Sequence, residues 1–176
     1  MWNRKKRPSS LRSRGKLAEY ADDSVKWDAG EVGAAAVALL ARRDFSSGEL
    51  TAKLREQGFA ASAVHSVVSD LLEQRFIDDA RYAAHRVSHH AGRGQGPLRI
   101  RRELEALDLD APLIDAALAD WDWPQQAREV RIRKFGLPPP ADWQTRARQA
   151  RFLQYRGFSA DHIRSAVGAI DTTPDP

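Results

Sequence analysis

Three histidines, two adjacent carboxylates and a glycine-rich hexapeptide are the residues of this 176-residue chain that first invite a chemical reading. His85, His89 and His90 fall close together, and a histidine pair spaced i, i+4 can share a zinc ion when further ligands converge. The HExxH arrangement is absent, so the spacing predicts a solvated helix end and no metal site. Asp78 and Asp79 have the composition of an acid/base pair, yet they precede an apolar-periodic stretch, where carboxylates favour the positive end of a helix. Gly92, Gly94 and Gly96 in GRGQGP resemble a phosphate-cradling loop only superficially. No strand precedes them and no Gly-Lys-Ser/Thr follows, which predicts a flexible break between two helices. No Ser/His/Asp set stands in a supporting motif. The expectation is a non-enzymatic protein with no catalytic residue, cofactor or metal.

The arginines have more to offer. In a helix starting at Pro97, the residues Ile100, Leu104 and Leu107 make an apolar stripe, and Arg99 and Arg102, three apart, point away from it. In a helix starting at Trp143, the stripe is Trp143, Ala147 and Ala150, while Arg148, Arg151 and Tyr155 share another side. Cations beside an aromatic ring contact phosphates, stack on bases or pair with an acidic protein surface; the competing reading is an ordinary solvated face. The charge is uneven along the chain. Residues 1–16 carry +7 of a net +4, residues 17–90 sum to −4, and residues 124–156 hold 8 basic against 2 acidic side chains, so a second basic surface is expected beyond the N-terminal segment.

The elements that position these side chains follow from the breaks. There is no cysteine, hence no disulfide framework, and no apolar run of the roughly 20 residues that span a bilayer, so a cytoplasmic protein is expected. Residues 1–28 have clustered charge and little apolar periodicity, the composition of a largely disordered basic arm. From Glu31 onward, Ala/Leu/Arg-rich stretches alternate with short breaks and no period-two strand pattern intervenes, which predicts an all-α fold. The breaks recur around Phe59, Leu109 and Phe158, which are 50 and 49 residues apart. Leu54, Leu104 and Leu153 stand five residues before them; Val64, Ile114 and Ile163 stand five after. The preceding residue is Gly58, Asp108 or Gly157, each suited to the left-handed position that ends a helix. Each unit therefore reads as a leading helix (about 31–43, 78–90 and 124–135), a helix ending at Gly or Asp, a buried hydrophobe just past the stop, and a last helix that packs back.

Start signals agree. Ser46 and Ser47 precede Glu49, Ser62 follows the Gly58 turn, and Ser159 and Asp161 open the last helix. Pro97 suits a first turn, and Pro138, Pro139 and Pro140 form a stiff connector. Trp121, Trp123 and Trp143 are expected to pack at the junction of the second and third units. The reading is thus three tandem three-helix repeats, at 29–77, 78–123 and 124–176, in an elongated, curved helical array.

Four segments in this order and spacing, ALLARRDFSSGELTAKLREQGF (38–59), FIDDARYA (76–83), GRGQGPLRIRREL (92–104) and RARQARFLQYRGF (146–158), resemble the bacterial RecX family, regulators of the RecA recombinase. The likeness extends over about residues 31–170; the long basic arm is not part of it. It implies a helical protein without catalysis of its own that binds the RecA–DNA filament and limits filament growth, ATP hydrolysis and strand exchange in DNA repair and the SOS response. It also implies a basic concave surface, for which Arg93, Arg99, Arg101, Arg102, Arg128, Arg131, Arg148 and Arg151 are the matching residues. ATP would belong to the recombinase. The partner expected is the filament, with weak single- or double-stranded DNA contact as a second. The alternative is a sequence-tolerant DNA-binding protein that acts without the recombinase.

Overall fold

The computed structural model describes residues 29–168, so the arm expected at 1–28 lies outside the described residues. Among them there are nine α-helices and no strand: α1 (Ala29–Leu40), α2 (Ser47–Glu56), α3 (Ala61–Glu73), α4 (Asp79–Gly92), α5 (Pro97–Glu105), α6 (Ala111–Ala119), α7 (Trp123–Phe135), α8 (Trp143–Arg156) and α9 (Ala160–Val167). They divide into two compact units. One runs to Phe45 and resumes over Glu49–Ile77; the other takes in Ser46–Gly48 and the chain from Asp78 onward.

The recurring columns of the sequence have a hydrogen-bonding cause. Gly58, Asp108 and Gly157 adopt positive φ of 96°, 58° and 90°. In each case the chain turns back so that the hydrophobe just past the stop donates its N–H to the leucine carbonyl five residues earlier: Phe59 to Leu54 at 3.4 Å, Leu109 to Leu104 at 3.4 Å and Phe158 to Leu153 at 3.1 Å. The stop residue itself bonds three residues back, to Arg55, Glu105 and Gln154. This is the Schellman closure, in which a hydrophobic contact spans the same five-residue interval. A hydrophobic contact frequently accompanies this closure, and in these three turns it pairs a leucine with the hydrophobe five residues on. Two further closures escape the 49/50 periodicity. Arg75 (φ 58°) ends α3, with Phe76 bonded to Leu71, and Gly94 (φ 78°) ends α4, with Gln95 bonded to His90.

In the first unit α1 packs on α3, and Val32, Ala36, Leu50, Leu54 and Val64 are fully buried, with half-buried Phe59 against them. In the second unit α7 lies along α9 and α4 along α6, and α4–α9 share one continuous core that runs from Tyr82 to Val167. Leu104, Leu109, Ile114, Leu153, Phe158 and Ile163 are all in it. Burying a side chain of this size contributes about 1.5–3 kcal/mol. Trp123 is buried and donates Nε1–H to the Leu118 carbonyl at 2.8 Å, and its ring stacks on that of partly buried Trp121.

Several local expectations change. Trp143 is 61% exposed, because it begins α8 ahead of the residues that pack; Gln149, Ala150 and Leu153 carry the buried face. The cap of α3 is Ala60, without a side-chain bond, and Ser62 lies inside the first turn. GRGQGP is a pinned break and not a flexible one: Gly92 closes α4, Gly94 makes the turn, and Gly96 donates its N–H to the Arg156 carbonyl at 2.8 Å. Leu98 N–H follows with the Gly157 carbonyl at 3.0 Å. His90 is no solvated end either. Its Nδ1 lies 2.7 Å from Gln95 Oε1 and 3.1 Å from Glu103 Oε2, and its side chain is mostly buried.

Ser159 caps α9 in a reciprocal box: its Oγ accepts from His162 N–H at 3.3 Å, and its own N–H donates to His162 Nδ1 at 3.4 Å. Ser159→Ala should cost about 1 kcal/mol in urea unfolding. Burial lowers the His162 pKa from its ordinary value of 6.5, against the pull of Asp161. A depressed histidine pKa means that the unfolded chain binds more protons, so this contribution to stability is full above the ordinary value of 6.5 and is lost as pH falls below it and through the lower pKa of the folded state. His162→Gln should flatten the corresponding part of the denaturation-midpoint profile against pH, whereas an unchanged slope would assign it to other groups.

Candidate functional site

Close backbone approach builds a concave surface in the second unit. Gly157 ends α8 and Gly96 opens α5, and a Cβ added to Gly96 would come within 2.4 Å of the Gly157 carbonyl carbon. Only glycine on both sides allows the start of α5 to lie this near the α8–α9 turn. The result is an open groove of about 770 Å³ between α5 and the α8–α9 hairpin. Ala147, Ala150, Phe158, Ala160 and Ile163 contribute its apolar lining, with Leu98 and Tyr155 as exposed rims; Tyr155 is 81% accessible.

Four arginines line the groove and no carboxylate does: Arg99 and Arg102 from α5, Arg151 from α8 and Arg164 from α9. Arg99 shares its Nε–H with Glu103 at 3.1 Å, and Arg164 pairs with Asp161. Arg102 and Arg151 have no carboxylate partner among the described residues; Arg151 donates only to the Ala147 carbonyl, at 3.3 Å. The first turns of α5 and α9 also face the groove, and the positive ends of their dipoles reinforce the field of the guanidinium groups.

Of the eight arginines expected to form one basic surface, Arg99, Arg102 and Arg151 therefore meet in this groove. Arg93 lines a second, smaller groove of about 140 Å³, together with Arg133, Lys134 and Arg156. Arg148 lies 5.9 Å from the Phe135 ring centroid, and Arg128 reaches Gln125 at 3.2 Å and Ser165 at 3.4 Å. Arg101 is turned to Asp115 and Glu105 in ion pairs, away from the groove. Arg131 is a correction. It is 3% exposed and donates to the carbonyls of Pro138 at 2.9 Å and Leu137 at 3.1 Å, because the turn after α7 leaves those oxygens without a helical partner. Its guanidinium secures the proline connector and is not presented to a partner. Arg164 and Arg156 were not among the expected set; each follows a core hydrophobe closely on its helix, and only the packed hairpin shows where it emerges.

The two adjacent carboxylates both take structural roles. Asp78 caps α4 by accepting from Arg81 N–H at 2.9 Å, and Asp79 accepts from the Ser47 N–H at 2.8 Å and hydroxyl at 2.5 Å. No group of three or more His, Cys, Asp or Glu residues that could hold a metal occurs among the described residues.

Comparison with known proteins places this architecture. Models of the first, second and third three-helix domains of RecX match residues 34–71, 78–118 and 122–167. The chain belongs to the RecX family. It is 45% identical over 139 residues to the regulatory protein RecX of Halorhodospira halophila, covering 78% of this chain and 86% of that one. To the regulatory protein RecX of Pseudomonas fluorescens it is 43% identical over 130 residues, covering 73% and 84%. The crystal structure of RecX from Lactobacillus salivarius shares the fold with a TM-score of 0.72 at 18% identity, over 83% of this chain and 98% of that one. Another crystal structure of a regulatory protein RecX gives 0.67 at 20% identity, over 79% and 70%. The second and third RecX domains are thus the ones that share the continuous core and flank the arginine groove. No helix among the described residues is long and apolar enough to cross a membrane.

Proposed function

We propose that this RecX-family protein is a cytoplasmic, chiefly negative regulator of the RecA recombinase in DNA repair and the SOS response. It binds the RecA–DNA filament and limits filament growth, ATP hydrolysis and strand exchange, without catalysis of its own. The repeats act as domains at 29–77, 78–123 and 124–176, with residues 1–28 as a basic arm. The observation that carries the reading is the meeting of Arg99, Arg102, Arg151 and Arg164 in one groove without a carboxylate in its lining, an arrangement that suits a polyanionic assembly. Multisite contact is the ordinary mode of helical repeats. The test is filament extension on single-stranded DNA, followed by light scattering with increasing amounts of this protein. Extension should stall at protein levels well below those that coat the DNA; extension at the uninhibited rate would refute the proposal.

A second reading, DNA binding independent of the recombinase, is favoured by the separate cluster of Arg93, Arg133, Lys134 and Arg156 around the smaller groove. It predicts binding to naked DNA whose affinity falls steeply with salt, by a slope close to the number of phosphates contacted. If that binding accounts for every effect on the filament, competition for DNA replaces direct regulation.

A further inference from the structure

The larger groove is basic and apolar at once, and this combination narrows what can occupy it. Its four guanidinium groups attract phosphates and carboxylates alike. Its lining distinguishes them. Ala147, Ala150, Ile163 and Phe158 present hydrocarbon, and the uncharged side chains with hydrogen-bonding groups are few: Gln154, Ser159 and the hydroxyl of Tyr155. A nucleic-acid base set into such a floor would lose the water around its polar edges and find few partners, an unfavourable exchange. Proteins that hold single strands instead offer successive aromatic faces, and here Tyr155 is the one strongly exposed ring on the rim. An apolar peptide side chain would meet the alanines and aliphatic carbons without such a loss, while Arg102 and Arg151, which have no carboxylate partner of their own among the described residues, take the flanking charges. A volume of about 770 Å³ lies within the range of sites that enclose a compact ligand or a few anchoring side chains.

We infer that this groove is a peptide-binding site for an acidic segment of a partner protein, with an aliphatic side chain seated between Leu98 and Tyr155 and carboxylates on Arg102 and Arg151. The segment docks as an amphipathic helix or extended strand, a mode in which apolar anchors supply affinity and charges supply orientation. The inference rests on the proposed regulatory role for its partner, and goes beyond it by stating which chemistry the groove selects.

The test uses the full-length protein and three fluorescent probes: a 15-residue helical peptide of Glu, Ala and Leu with leucines at i, i+3 and i+7, the same peptide with Ser in place of Leu, and a 15-nucleotide oligothymidylate. The Leu peptide should bind in the micromolar range, the Ser peptide at least about 10-fold more weakly. Arg102→Glu with Arg151→Glu should lower affinity by about 10-fold or more. Ala160→Trp, which fills the groove from an exposed position and leaves every charge in place, should do the same, with urea midpoints showing that both variants fold. Equal binding of the Leu and Ser peptides, displacement of the Leu peptide by oligothymidylate at equal charge, or absence of peptide binding up to millimolar concentration would each overturn the inference. Adding the Leu peptide to a recombinase ATPase assay separates it from the regulatory reading. Binding at the groove without relief of inhibition leaves the peptide site standing and removes the filament as its partner. Inhibition that depends on Arg102, combined with oligothymidylate and not peptide at the groove, does the reverse.

Discussion

Reversing charge at Arg102 and Arg151 together is expected to weaken inhibition of the recombinase by at least about 10-fold in the protein concentration required, while the urea midpoint of the variant changes little. Both guanidinium groups line the groove, both are exposed and neither has a carboxylate partner among the described residues, so the fold does not depend on their charge. Surface substitutions of this kind usually stay within about 0.5 kcal/mol. A charge facing its partner behaves differently: reversal replaces an attraction by a repulsion, and removing one partner of a desolvated pair alone costs about 2–5 kcal/mol of binding. Arg101→Glu serves as the contrast. Its side chain is paired with Asp115 and Glu105 outside the groove, so its reversal should register in stability before it registers in inhibition. Equal losses of inhibition from Arg101→Glu and from the groove pair would indicate a diffuse field over the surface and not a defined groove.

The largest effect on stability is expected at the two glycines that bring α5 to the α8–α9 turn. Gly157 has φ of 90°, a conformation that β-branched residues avoid, and its added Cβ would lie 2.4 Å from Arg99 Cβ and 2.7 Å from Arg99 N. Gly157→Val combines backbone strain with steric overlap. Gly96 has an ordinary φ of −91°, so Gly96→Ala isolates the overlap: the new methyl would meet the Gly157 carbonyl carbon at 2.4 Å and the Phe158 nitrogen at 2.5 Å. These are backbone atoms in a packed core and cannot swing aside. Each substitution should cost about 3 kcal/mol or more, measured as a fall in the urea midpoint, with loss of the Gly96–Arg156 hydrogen bond. Gly33→Ala gives the opposite sign. That position is within α1 with nothing within 4 Å of a new Cβ, so replacement should stabilise by about 0.5–1 kcal/mol. Near-neutral behaviour of Gly96→Ala would mean that α5 can withdraw from the turn at little cost, and the groove would lose its rigid wall.

These two cases also mark how far the sequence can be read. The repeat columns were legible because three Schellman closures each pair a leucine with a hydrophobe across a left-handed residue at the same spacing, and Asp108 takes that conformation as Gly58 and Gly157 do. The closures at Arg75 and Gly94 were hidden: arginine is no signal for a left-handed turn, and a run of three glycines does not say which one turns and which one is there to let another backbone approach. Helical phase brought Arg99 and Arg102 to one wall, since residues three apart are neighbours on a helix surface. It could not separate Arg131 from the exposed arginines, because the carbonyls that hold Arg131 belong to a turn six and seven residues away. Nor could it bring Arg164 across from α9, which requires the hairpin to be folded. Trp143 shows the converse error, an aromatic residue assigned to an apolar stripe although it stands where the helix begins and nothing yet covers it.

The central claim, direct regulation of the recombinase filament, is tested most directly by DNA-dependent ATP hydrolysis of the cognate recombinase, titrated with this protein at two salt concentrations beside binding to the same naked DNA. Hydrolysis should fall at protein levels too low to cover the DNA, and fall much less when Arg102 and Arg151 are reversed. A decline that tracks saturation of the naked DNA at both salt concentrations would contradict the account and leave simple competition for DNA in its place.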